Sequence, residues 1–70
     1  MTEQSWKKVD RIKIELEMDS NQAWALAQFL KRVSFGEYNM LSTDKDQAWQ
    51  AMYAGEAIRE ALAAAGVDPR

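Results

Sequence analysis

Residues 10–33 read Asp10-Arg-Ile-Lys-Ile-Glu-Leu-Glu-Met-Asp-Ser-Asn-Gln-Ala-Trp-Ala-Leu-Ala-Gln-Phe-Leu-Lys-Arg-Val33. Two periodicities meet in this stretch. Ile12, Ile14, Leu16 and Met18 alternate strictly with Arg11, Lys13, Glu15 and Glu17, the period-two pattern of a strand with one buried face. Asp19 ends the alternation. Asp19-Ser20-Asn21-Gln22 then has the form of a capping box, an acceptor at the N-cap and Gln three residues on. Beyond it Ala23, Leu26, Ala27, Phe29, Leu30 and Val33 fall on one helical face. The spacing predicts a helix from Ser20 to Val33 or Ser34, with Trp24 on its flank beside Lys31 and Gln28.

A lone strand leaves backbone donors and acceptors unpaired on both sides, and no second strand is visible in the sequence. Lys7-Lys8-Val9 is too close in sequence to fold back on it. The simplest partner is the same segment of a second chain. An antiparallel two-fold pairing centred on Ile14 sets Arg11 opposite Glu17 and Lys13 opposite Glu15. Every charge then meets its opposite, with Ile12 against Leu16 on the other face. Centres at Lys13 or Glu15 would put a charge against its own copy. The predicted fold class is therefore α+β, one N-terminal strand followed by two main helices (β-α-α). The strand is expected to pair antiparallel across a homodimer built from Arg11, Ile12, Lys13, Ile14, Glu15, Leu16 and Glu17.

Size argues the same way. Seventy residues make one small domain, 1–70, and eleven of them are Ala, so the large apolar side chains available for a core are few. The expected core is Ile12, Ile14, Leu16, Leu26, Leu30, Val33, Ile58 and Leu62. Residues 1–8 are polar apart from Trp6 and are expected to form a flexible tail.

The rest of the chain is helical in pattern. Residues 34–43, SFGEYNMLST, carry Phe35, Tyr38, Met40 and Leu41, too many large apolar groups for a solvated loop; a short helical turn or packed connection is expected. Asp44-Lys45-Asp46-Gln47 again has capping-box form, opening a second main helix that runs to about Ala65, with Gly66 as its stop. Ala48, Ala51, Gly55, Ile58 and Leu62 share one face of it. Gly55 in mid-helix costs roughly 1 kcal/mol, which implies a close approach of two backbones there. The opposite face carries Trp49, Tyr53, Glu56 and Glu60.

Composition narrows the chemistry. There is no Cys and no His, and the net charge is −2. Thiol catalysis, zinc–thiolate sites and histidine acid–base work are excluded. The glycines stand alone at 36, 55 and 66, so no phosphate-binding loop is present. Asp44 and Asp46 fit capping and lack the spacing of a calcium loop. No catalytic residue, cofactor site or metal site is expected, and the protein is read as not an enzyme. Without an apolar run of membrane-spanning length or a signal-peptide core, the expected location is the cytoplasm, with no membrane partner.

Two binding classes remain. Trp and Tyr are enriched at protein-binding hot spots, so Trp24, Trp49, Tyr53, Glu56 and Glu60 are the candidate protein-binding residues. The alternative is a DNA-binding regulator. A strand and two helices dimerising through a ribbon resembles the ribbon-helix-helix repressors, which read the major groove with the outward ribbon face. Arg11 and Lys13 would be the nucleic-acid contacts here, though Glu15 and Glu17 share that face and the connection between the helices exceeds a tight turn.

The run from Gln22 to Val33, most distinctively AWALAQFLKRV, with the Asp-rich cap and Ala-rich final helix, resembles a family of small proteobacterial proteins of unknown function often carried on prophages and plasmids. The similarity covers roughly Ile12 to Arg70 and carries over no residue roles. It implies a mobile-element setting, in which small acidic proteins act by binding a host protein or complex, as anti-CRISPR inhibitors do. The favoured expectation is a protein-interaction module of that kind.

Overall fold

The computed structural model describes residues 11–70; the expectations placed on Trp6 and on residues 1–8 lie outside them. Among the described residues the elements are α1 (Ser20–Arg32), α2 (Phe35–Met40) and α3 (Lys45–Ala64). There is no strand among them, so the α+β, β-α-α expectation is corrected to an all-helical fold. Residues 11–19 form a non-regular arm. Ile12, Ile14 and Leu16 are 84%, 70% and 73% exposed, where a buried face was expected. The physical reason lies in what alternation encodes. It fixes which side chains would share a face, but a strand also needs a hydrogen-bonded neighbour, and none of the described residues supplies one.

The helix ends follow the sequence closely. Asp19 Oδ1 accepts from the Gln22 backbone N–H at 2.8 Å, and Gln22 Oε1 accepts from the Asp19 N–H at 3.3 Å, closing the predicted capping box. Asp44 caps α3 by accepting from the Gln47 N–H at 2.8 Å. There the return bond goes to Thr43, whose N–H donates to Gln47 Oε1 at 2.9 Å. A third cap starts α2: the Glu37 carboxylate accepts from both the backbone N–H and the hydroxyl of Ser34. At the far end Gly66 takes φ +96°. Its N–H donates to the Ala63 carbonyl and that of Val67 to the Leu62 carbonyl, the paired bonds of a Schellman stop. The chain beyond it returns to α1, where Lys31 Nζ donates to the Pro69 carbonyl at 3.2 Å.

Small residues make the interior. Among the described residues the buried apolar side chains are Ala23, Ala27, Leu30 and Ala48, with Ala27 and Ala48 fully enclosed. Of the expected core, Leu30 is buried, and Leu26, Val33 and Leu62 are half-buried. Ile12, Ile14, Leu16 and Ile58 are exposed, a second correction. Leu30, late in α1, meets Gly55 in the middle of α3. Ser20 and Ala23, at the start of α1, share a groove with Ile58 and Leu62 toward the end of α3. The two helices therefore run antiparallel.

Gly55 is where all three helices meet. A Cβ built on it would run into Tyr38 Oη of α2, with Tyr38 Cζ at 3.3 Å and Leu30 Cδ2 at 3.4 Å. The close approach expected at this glycine is present, and its partners are α1 and α2. Gly55→Ala should therefore lower the melting temperature. The overpacking cost of about 1–3 kcal/mol outweighs the roughly 1 kcal/mol gained in helix propensity. Adding Tyr38→Phe removes the clashing hydroxyl, and Gly55→Ala/Tyr38→Phe should recover most of the loss in thermal denaturation followed by circular dichroism.

Candidate protein-interaction surface

The aromatic residues named from the sequence are brought together in part. Trp49 and Tyr53, one turn apart on α3, have ring centroids 6.1 Å apart with an interplanar angle of 29°. Phe35, the first residue of α2, stacks on the other side of Trp49 at 4.1 Å and 27°. The three rings form a continuous ladder, Phe35–Trp49–Tyr53. Trp49 remains 40% exposed and Tyr53 56% exposed, so the ladder is fixed at one end and open at the other. Local sequence explains the fixed end: the Ser34–Glu37 cap sets the first turn of α2 and so holds Phe35 against α3.

The acidic residues sit further along α3. Glu56 pairs with Arg59 at 3.8 Å, with both side chains solvated. Such a pair contributes little stability but offsets the Glu56 charge. Glu60 is exposed. Trp24 is a partly exposed residue of α1, and the ring pairs among the described residues do not include it. It is separate from the ladder. Phe35 is the residue that sequence reasoning missed, because its stacking partner lies fourteen positions away across a turn.

The residues assigned to the dimer, Arg11 to Glu17, all lie on the exposed arm. Ile14, Glu15, Leu16 and Glu17 line a groove against α1 and α3. Arg11 and Lys13, the nucleic-acid candidates, share the arm with those two acids. The ribbon that would have presented them is not present among the described residues, and the ribbon-helix-helix architecture goes with it. Among the described residues no cluster of carboxylates is arranged to hold a metal ion, and no helix is long and apolar enough to cross a membrane. Asp44 is engaged in capping.

A family profile, Family of unknown function (DUF7706), matches residues 1–70. The chain belongs to this family. No curated protein and no solved structure matches the sequence. Membership in DUF7706 therefore brings a family boundary and no assigned activity, and the surface has to be read from its own geometry.

That geometry is specific enough to test. Phe35 and Trp49 should couple in a double-mutant cycle of Phe35→Leu and Trp49→Leu. The interaction energy expected is about 0.5–1.5 kcal/mol, the range for stacked rings beyond their area burial. Chemical denaturation of the four proteins measures it; additive losses would mean that the rings do not stack in solution.

Proposed function

We propose that this protein is a non-enzymatic protein-interaction module whose aromatic ladder, Phe35–Trp49–Tyr53, is the anchor for a partner protein. The observation that carries this reading is the ladder itself: two large aromatic side chains stay partly open while a third ring stacks against one of them. An isolated exposed ring loses side-chain freedom on binding, whereas a stacked ring on a helix has lost much of it beforehand. Trp and Tyr held this way are the residue types that dominate binding energy at interfaces.

Glu56 and Glu60 continue the surface along α3 and favour a partner with an apolar pocket bordered by Lys or Arg. Trp24, partly exposed on α1, is a further aromatic side chain open to a partner, separate from the ladder. The resemblance to prophage- and plasmid-borne proteins supplies the setting we favour, a modulator or inhibitor of a host complex that works by occupying one of its surfaces, in the manner of anti-CRISPR proteins.

Affinity capture from a lysate of the encoding organism tests the reading, run with the wild-type chain and with Tyr53→Ala and Trp49→Ala. A specific partner should be retained by the wild type and lost with Tyr53→Ala while helicity by circular dichroism is kept. Capture that is indifferent to both substitutions would remove the ladder from the interface. A salt-sensitive, sequence-specific gel shift abolished by changing Arg11 and Lys13 to Ala would replace the proposal with DNA binding.

A further inference from the structure

A second apolar surface lies away from the aromatic ladder. The arm and the α1–α3 pair bound a groove walled by Ile14, Leu16 and Met18 on one side and by Ala23, Ile58 and Leu62 on the other. Ile12 precedes them on the arm, and Ile12, Ile14, Leu16 and Ile58 are all exposed. Among the described residues the buried apolar side chains are three alanines and one leucine, so three exposed branched side chains lining one groove, Ile14, Leu16 and Ile58, are a large share of the apolar material. Contiguous exposure of this kind marks an interaction site.

The charges of the arm say what covers it. The arm is basic before Ile14, at Arg11 and Lys13, and acidic after it, at Glu15 and Glu17. None of the four is in an ion pair with another described residue. A partner of uniform charge would be attracted to one half and repelled by the other. A second copy meeting the first about a two-fold axis near Ile14 brings the basic half of each arm beside the acidic half of the other. A two-fold contact is by nature self-complementary, and this arm has the charge order that such a contact requires.

We infer that the groove is an interface between two copies of this chain, each contributing Ile12, Ile14 and Leu16 to cover the apolar surface of both. Lys13 of one copy then lies beside Glu15 of the second, and Arg11 beside Glu17. The contact is made by side chains and charges, and assigns no regular secondary structure to the arm. It is independent of the partner proposed for the aromatic ladder, which occupies different residues, so either can fail without the other.

Sedimentation equilibrium of the full chain from low to high micromolar concentration tests the inference. The expected species at the upper end has twice the 8.0 kDa chain mass. Because Ile14 is exposed in the single chain, Ile14→Asp should leave helicity unchanged and abolish the heavier species. Lys13→Glu should weaken association several-fold by turning two exposed opposite-charge contacts into like-charge ones, and Lys13→Glu/Glu15→Lys should restore it. A chain of single mass throughout would overturn the inference. So would a dimer whose association is unmoved by Ile14→Asp and by the Lys13/Glu15 exchange.

Discussion

The three helices hold together because Gly55 has no side chain. Tyr38 from α2 occupies the space where a Cβ would stand, and Leu30 from α1 lies in van der Waals contact beside it. Around that point the contact is made by residues that bring backbones close and bury little area each: Ala23 and Ala27 on α1, Ala48 on α3. Close approach favours many weak dispersion contacts over the burial of a few large groups. It leaves little room inside for large side chains. The exposure of Ile12, Ile14, Leu16, Tyr53 and Ile58 is the counterpart of an interior built from alanine.

That division of labour links fold to function. A chain of this size has little apolar surface to spare, so large side chains left outside have to be accounted for. Two groups of them are gathered on defined surfaces, while Trp24, Phe29, Met40 and Leu41 are exposed outside both. The aromatic ladder is set by the α2–α3 junction, which depends on the Ser34–Glu37 cap and on Tyr38 lying over Gly55. The groove is set by the antiparallel α1–α3 pair and the arm that borders it. Both surfaces are therefore positioned by the same node, and loosening it would disturb both.

How much of this was legible in the sequence divides along the range of the interactions. The caps at Asp19 and Asp44 and the stop at Gly66 are visible because each is a bond between near neighbours, and Gly55 stands out as a residue a helix interior disfavours without a packing reason. The Trp49–Tyr53 pair follows from helical spacing. Phe35 joins it from across a turn, which no periodicity reports, although Ser34-Phe35-Gly36-Glu37 itself has capping-box form and marks the start of α2. The strand expected over Ile12–Met18 failed for the opposite reason. Its alternation is a strong local signal, but regular strand structure is a property of two segments, and the described residues provide only one. The identity of Tyr38 as the ring over Gly55 is a tertiary fact with no local signature.

The node at Gly55 is the claim on which the rest stands, and proton NMR reaches it directly. Nuclear Overhauser contacts should connect the Gly55 α protons to the Tyr38 ring and to a Leu30 methyl group in the same folded protein. A folded, helical chain in which Gly55 shows neither contact, with Tyr38 free in solvent, would contradict the architecture.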